Sequence, residues 1–472
     1  MATKKDLVEA HAFSRRRLVT AFVSGAPGGR EVEPVRPGRV LIGGVALSVL
    51  LLAGAAIAGF LLGRPPAQWL ETGSFVISKD TGEQYVVLRG GDNPKLQRVP
   101  NYVSAQLLIG KPDLTPFTVR DKYIRTVQLG DDLGIEGAPA GLPSPDELVD
   151  DGWTACTGSG VGIKLAVQED ATVEDLVDRA FLVSSGGRQW LIETAPPVGS
   201  EPGTAFRLPM PPDSTAASTL GNKLGFGATP VEVDEEWLNL FPLGDALEAD
   251  SFGIDDEGQA VPYADTRADL TRFRVGDLLQ SSTGTYYLLG DEKPQRLSDF
   301  AGLVYDVVGT PVAQVDDDLF ADFGDPTYPA EWPATVPQAL ADGAMCAVLH
   351  PATDDDAGVS LATNPTGAAD PSDVSPGRHD VDVEPSAGAY VLSGSGEAAD
   401  DGTRYVIDTK GEKYLLVGPQ VPGYIGYADV DPPLVPSAWL EFFETGVPLS
   451  TNAARRLPAD APPADSEADA GS

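Results

Sequence analysis

Val233–Leu247, "VDEEWLNLFPLGDAL", and Val435–Leu449, "VPSAWLEFFETGVPL", carry Val, Trp-Leu, Phe, Gly and Leu at identical spacing in different halves of the chain. Near the start, Val119, Tyr123, Ile124, Gly130 and Leu133 keep most of that spacing. Recurrence of this kind marks a chain assembled from similar units, each too small to bury its apolar face alone. A second element recurs ahead of the first: Gly82-Glu-Gln-Tyr85, Gly187-Arg-Gln-Trp190, Gly284-Thr-Tyr-Tyr287 and Gly411-Glu-Lys-Tyr414. Each glycine sits between two strand-like runs: "FVIS" and "QYVVL", "FLVSS" and "WLI", "LLQSS" and "YYLL", "YVID" and "KYLLV". The glycine supplies the positive φ of a hairpin turn, and the aromatic and β-branched flanks suit a half-buried pleated surface.

An isolated hairpin is marginal in water, so each needs a helix or a neighbouring unit on its apolar face. Leu96, Val99, Val103, Ala105, Leu107 and Leu108 in the first unit, and Leu297, Phe300, Ala301, Leu303 and Val304 in the third, predict such a helix. Tyr85, Trp190, Tyr287, Tyr414, Trp237 and Trp439 are expected to serve packing within and between the units, with ligand-binding aromatics as the alternative.

With 472 residues the chain has room for several domains and a large core. Its 70 acidic and 33 basic residues give a net charge of −37, which excludes nucleic acid as a partner. The segment Val40–Leu62, "VLIGGVALSVLLLAGAAIAGFLL", carries no charge. As a helix it would extend about 35 Å, enough to cross a bilayer with a hydrocarbon core of about 30 Å. A signal peptide is the competing reading, but its apolar stretch and leader are normally shorter than these, which favours an uncleaved anchor. Basic residues outnumber acidic ones ahead of it, so the N-terminus is expected in the cytoplasm and the acidic bulk outside. Ala55, Gly59 and Gly63 form a small-residue face suited to close helix packing in the membrane. Before the span, Thr3 and Asp6 start a helix, with Leu7, His11, Leu18 and Phe22 falling near one face. Leu7, Phe13, Arg15, Arg16, Arg17, Leu18 and Phe22 are expected to dock it on a cytoplasmic partner or the inner membrane surface.

Cys156 and Cys346 are either one bridge or two lone thiols, and an extracytoplasmic, oxidising location favours the bridge. Their flanks, "WTACTGSG" and "GAMCAVLH", lie between repeat units and predict one central β domain assembled from separated segments. The expected layout is a cytoplasmic helix and arm at 1–39, a transmembrane helix at 40–63 and repeats at 70–143, 181–250, 270–325 and 401–450. Central-domain segments occupy 150–180 and 330–400, the second carrying a mobile acidic insert at 351–386, and a disordered acidic tail follows at 451–472. The fold class is thus a single-pass membrane protein with a mainly β, α+β extracytoplasmic part: four hairpin-plus-helix repeats around a disulfide-linked central β domain.

Catalytic patterns are missing from the sequence. It has no G-x-x-x-x-G-K-[ST] loop; "GSGVGIK", Gly158–Lys164, has the wrong spacing and reads as a turn into a strand. There is no G-x-S-x-G elbow and no H-E-x-x-H pair. His350 with Asp354, Asp355 and Asp356, and the run Asp380, Asp382 and Glu384, have the chemistry of a divalent-cation site, but in so acidic a chain they read as solvated loops.

Taken in order, "AFSRRRLVTAF", one apolar span, "ISKDTGEQYVVL", "NYVSAQLLIG", "GIEGAPAGLP", "WTAC", a distant second cysteine and "WLEFFETGVPLS" resemble the EccB family of actinobacterial type VII (ESX) secretion systems. The resemblance covers nearly the whole chain. It implies a cytoplasmic helix, a transmembrane helix and four extracytoplasmic repeats around a central domain whose bridge falls on Cys156 and Cys346. It further implies a structural subunit of the inner-membrane core complex, working with EccC, EccD and EccE near the mycosin protease, paired as a homodimer within a larger ring, and needing no cofactor or metal. ATPase activity is sometimes ascribed to the family, although no Walker loop is present here. Because the repeats also resemble cell-wall-binding modules, a membrane-anchored wall-binding protein is a further alternative.

Overall fold

The four recurring glycines turn the chain as their spacing requires. Gly82, Gly187, Gly284 and Gly411 all have φ between +74° and +88°, a region that a side chain would strain. They belong to a computed structural model that describes residues 3–24, 37–61, 65–169, 172–197, 203–227, 229–266, 268–315, 323–340, 343–351, 357–394 and 402–458. Two units result, Met1–Pro66 and Ala67–Ser472.

The first unit is helical. Helix α1 (Lys4–Ser24) starts where the backbone N–H and hydroxyl of Thr3 donate to the Asp6 carboxylate, which is held below the usual carboxylate range by those bonds. Leu7, Phe13, Leu18 and Phe22 are exposed on it, and so are Arg15, Arg16 and Arg17. Helix α2 (Pro37–Leu61) opens on a proline, a residue suited to the first helical turn because its missing N–H has no partner to lose there. Its side chains are described over residues 42–54 only. Among the described residues no helix is long and apolar enough to cross a membrane. The expected packing face of Ala55, Gly59 and Gly63 lies outside the described side chains.

The second unit is mainly β. Its first sheet contains β1 (Phe75–Ser78), β2 (Gln84–Arg89), β3 (Lys95–Val99), β4 (Pro116–Val119) and β5 (Gln128–Leu129), in the order β4-β1-β2-β3-β5. Helices α3 (Tyr102–Ile109) and α4 (Asp121–Ile124) connect its later strands. Then β6 (Trp153–Thr157), β7 (Ile163–Val167) and β8 (Glu174–Asp175) begin a central sheet. The second sheet, β11-β10-β9-β12, is formed by β9 (Arg179–Ser185), β10 (Arg188–Thr194), β11 (Ala205–Pro209) and β12 (Val231–Glu232), with α5 (Ser214–Lys223) and α6 (Glu235–Leu238). In the third, β13 (Leu278–Ser281), β14 (Tyr286–Leu289), β15 (Pro294–Leu297) and β16 (Ala313–Val315) are ordered β15-β14-β13-β16, with α7 (Asp299–Val308) before β16.

The chain then turns back. Strand β17 (Gln338–Ala339) joins the second sheet beside β9, and β18 (Met345–His350), β19 (Gly358–Thr363) and β20 (His379–Val383) complete the central sheet as β20-β7-β6-β18-β19-β8. The fourth sheet, β24-β21-β22-β23-β25, takes β21 (Ala389–Ser393), β22 (Thr403–Ile407), β23 (Glu412–Val417), β24 (Leu434–Val435) and β25 (Glu444–Thr445). Helices α8 (Val421–Ile425) and α9 (Ser437–Leu440) lie between these strands, and β26 (Leu449–Ser450) with α10 (Thr451–Ala454) closes the described chain.

First and fourth sheets have the same connectivity: three antiparallel strands, a helix, a strand parallel to the first, a four-residue helix, and a strand parallel to the third. Their recurring glycines nevertheless occupy different turns. Gly82 joins the first two strands of its sheet, whereas Gly411 joins the second and third, because β21 precedes that hairpin. Strand β21 lies upstream of residue 401, where the fourth unit was expected to start, and within the stretch assigned to the central domain.

Helix α3 and helix α7 begin later than the apolar pattern suggests, and their caps explain it. Asn101 Oδ1 accepts the Ser104 N–H and Ser298 Oγ accepts the Ala301 N–H, so Leu96, Val99 and Leu297 remain in strands.

Two expectations of disorder are corrected. Residues 357–386, read as part of a mobile insert, contain β19 and β20; Val359 and Leu361 are buried, and the acids Asp380 and Asp382 alternate with Val381 and Val383. Composition there overstated disorder, since alternation leaves one face for charge and one for packing. Likewise the tail does not begin at 451: Ala453 and Ala454 of α10 are buried, and the Arg456 carbonyl accepts the Gly134 N–H. Residues 352–356 and 459–472 lie outside the described residues.

Cys156 and Cys346 face each other directly in the β6–β18 register, 4.1 Å apart at Cα, and are disulfide-bonded. The bridge spans a sequence separation of 190 that contains the second and third sheets. By the chain-entropy model, closing such a loop stabilises the native state by about 5 kcal/mol. Replacing both cysteines by serine should therefore lower the urea midpoint of the full-length protein in detergent, with a loss of about 3–5 kcal/mol. An unchanged midpoint under oxidising conditions would contradict this account.

Candidate functional site

The recurring Val-Trp-Leu-Phe-Gly elements converge on the central sheet. Trp237 of α6 and Trp439 of α9 are fully buried in one apolar cluster with Trp153, Leu165, Leu349 and Leu361 of the central sheet. Trp237 stacks edge-on against Phe241 at 5.1 Å, and Trp153 against Phe443 at 5.5 Å. Trp237 Nε1 donates to the Ala155 carbonyl at 2.9 Å, one residue from the disulfide, whereas the buried Trp439 Nε1 has no partner. The invariant spacing of the glycine also has a steric cause. A Cβ on Gly446 would overlap the Tyr414 ring, and one on Gly244 would overlap Leu208.

The hairpin aromatics share a feature that the sequence reading passed over. Tyr85 Oη donates to Glu83 at 2.6 Å and Tyr414 Oη donates to Glu412 at 2.8 Å, each acid lying two residues before its tyrosine. Burial, then the bond to Glu83, pushes the Tyr85 phenol up to about 12; the same bond holds Glu83 below the carboxylate range. Tyr414 is raised further, again by burial first. At the matching position before Trp190, Arg188 places its guanidinium 4.9 Å from the indole centroid, and Arg207 adds a second at 5.6 Å. Tyr287 instead stacks on Phe323 at 5.5 Å. The recurring glutamates in Gly-Glu-x-Tyr were the signal available. Tyr85, Tyr287 and Tyr414 are at most 5 % exposed, so these three present no open ring face to a sugar, whereas Trp190 is half-buried with two guanidinium groups beside it.

Elsewhere the side chains considered for chemistry have structural partners. Gly158 and Gly160 turn the chain between β6 and β7, and Lys164 pairs with Asp380 on the adjacent strand β20. Burial works to lower the Lys164 pKa, but the Asp380 hydrogen bond and charge outweigh it and raise it. His350 Nε2 bonds Ser360 at 2.8 Å and its Nδ1 lies 3.5 Å from Asp151; His379 Nδ1 lies 3.2 Å from Glu236 of α6. Asp354, Asp355 and Asp356 lie outside the described residues, among which no group of three His, Cys, Asp or Glu side chains is arranged to hold a metal. A cavity of about 270 Å³ carries Asp146, Glu147, Asp150, Asp151, Glu169 and Glu384 on its wall with no basic side chain, a charge that repels nucleotide phosphates.

What converges here is packing machinery: a bridged sheet into which two copies of one element insert. The model of the family described as "Type VII secretion system ESX-1, transport TM domain B", EccB, matches residues 1–462. The chain belongs to the EccB family. No curated protein matches it at the sequence level. In fold, this EccB-family chain resembles one from an intact ESX-5 inner membrane complex, with 21 % identity, 98 % of each chain covered and a TM-score of 0.60. It also resembles a chain of the periplasmic assembly from the ESX-5 inner membrane complex (18 % identity, 84 % of this chain and 99 % of that one, TM-score 0.57). The EccB3 dimer from the ESX-3 core complex gives 21 % identity over 81 % of this chain and 100 % of the other, at a TM-score of 0.58.

The two tryptophans of this EccB-family protein allow a direct comparison. Trp237→Phe loses both ring volume and a buried hydrogen bond, whereas Trp439→Phe loses ring volume alone. The first should destabilise the full-length protein more than the second by about 1–2 kcal/mol in chemical denaturation. Equal losses would show that the bond to Ala155 contributes nothing.

Proposed function

We propose that this chain is a structural subunit of the type VII secretion inner-membrane core complex, acting by assembly and not by covalent chemistry. The observation that carries this reading is the extent of the family match, which runs from residue 1 through both helices and all sheets to residue 462. In this reading α2 is the single transmembrane anchor, supported by the uncharged run Val40–Leu62. Ala55, Gly59 and Gly63 pack it against neighbouring helices. Helix α1 lies in the cytoplasm and docks through Leu7, Phe13, Arg15, Arg16, Arg17, Leu18 and Phe22. The described residues of this helix give those apolar side chains no cover, which supports a docking role.

The acidic second unit then lies outside the inner membrane. Its four hairpin-bearing sheets act as the repeats of an array around the bridged central sheet, with Tyr85, Trp190, Tyr287, Tyr414, Trp237 and Trp439 as packing residues. EccC, EccD and EccE are the partners in the membrane, the mycosin protease is the neighbour outside, and the chain pairs with a second copy within a ring. A solved relative that is an EccB3 dimer supports the pairing. The ATPase alternative has no phosphate-binding loop to support it.

Deleting Lys4–Phe22 should abolish co-purification with the FtsK-type ATPase and the multi-span subunit after mild-detergent extraction, and leave the disulfide and the circular dichroism of the remainder unchanged. Undiminished co-purification of the deletion variant would overturn the docking role of α1.

A further inference from the structure

Glu193 of β10 has no solvent exposure, and neither of its carboxyl oxygens has a hydrogen-bond partner. Strand alternation sets its surroundings. It stands opposite Ala180 of β9 and Phe206 of β11, and so shares a face with Leu182, Leu191 and Leu208. Arg207 lies over Trp190 on the opposite face, and Arg179, adjacent to Ala180 in β9, alternates to that side too. Strand β17 pairs with β9 through Gln338 and Ala339 and brings no charge, and β19, which packs near β10 and β11, has no titratable side chain. Lys223 of α5, whose helix covers this core, is paired with Asp306 of α7. Among the described residues the charged group that acts on Glu193 is a second acid, Glu331.

Glu331 is held in place. One of its oxygens accepts the Asp245 N–H at 3.0 Å, and the next residue, Trp332, is buried between Phe252 and Phe300. It belongs to the strap of residues 324–340, which leaves the third sheet at the Gln295–Gly324 bridge and reaches the second at β17. Burial first, and the charge of Glu331 second, push the Glu193 carboxyl up to about 9.

We propose that Glu193 and Glu331 form a proton-held latch: the strap stays seated on the second sheet while Glu193 keeps its proton, and the junction between second and third sheets tightens as the surroundings acidify. The linkage fixes the sign. With the strap seated, Glu193 binds a proton up to about pH 9; with the strap lifted, the group meets water and returns toward 4.5. Between those values lifting releases one proton, so the opening constant rises about tenfold per pH unit. Below that window the pH dependence vanishes, since both states are protonated.

The test is amide hydrogen exchange on the full-length protein in detergent at pH 6 and pH 8, corrected for the intrinsic rate. The reporters are the N–H groups of Gln338 and Leu340, which donate to the carbonyls of Asp178 and Ala180. Their protection should fall about a hundredfold from pH 6 to pH 8 in the wild type and stay level in Glu193→Gln. Level protection in the wild type, or the same slope in the variant, overturns the latch. Infrared spectra of the wild type alone give an independent reading, whatever the variant does. A protonated-carboxyl band that survives at pH 7, while protection is already falling, and is lost only near pH 9 is expected; its absence at pH 7 overturns the proposal.

Discussion

The pairing of β6 with β18 is the constraint on which the rest of the second unit depends. These strands come from segments far apart in sequence, and residue-for-residue register places Cys156 opposite Cys346. Each is flanked in the central sheet by a strand from its own segment, β7 beside β6 and β19 beside β18. Non-local pairing of this kind carries a large ordering cost, which the disulfide offsets by restricting the unfolded chain. Once the sheet exists, its apolar face offers a common floor to Phe181 and Ile192 from the second sheet and to Val391 and Ile407 from the fourth.

The tryptophan elements show how one sequence pattern serves two positions on that floor. Each follows a two-residue strand, makes one turn of helix, and ends at a glycine that lets the backbone approach a neighbouring side chain. Trp237 gains a carbonyl partner in β6; Trp439 buries its N–H without one. An unpartnered buried donor costs free energy, so packing area must outweigh it at Trp439.

Much of this architecture is legible in the sequence because it is local. Glycines at fixed distance before an aromatic reveal the hairpins, since a positive φ is a requirement of the residue itself. The capped helices Tyr102–Ile109 and Asp299–Val308 are legible in type, and their starts follow from Asn101 and Ser298. Partner choice between strands is not local, and there the reading fails. Nothing in "AYVLS" says that β21 pairs with β22 and shifts Gly411 to the second turn of its sheet. Acidity misled at β20, where Asp380 and Asp382 mark a charged face and not a solvated loop. Glu193 is the sharpest case: in "RQWLIET" it has the pattern of an exposed strand residue, and it is fully buried because its face of the strand joins the core shared with the third sheet.

The bridge also determines how the second unit would carry a mechanical load. Tension between its first and fourth sheets would be borne first by the core they share; once that packing parted, it would travel along the chain to Cys156, cross to Cys346 and continue, because the covalent bond is the shorter path. The second and third sheets lie inside the closed loop and would hang from it unloaded. The bond thereby divides the chain into a strut and a side branch. The strap, the Trp237 element and Glu193 all sit inside that loop, whereas the Trp439 element stays on the loaded path.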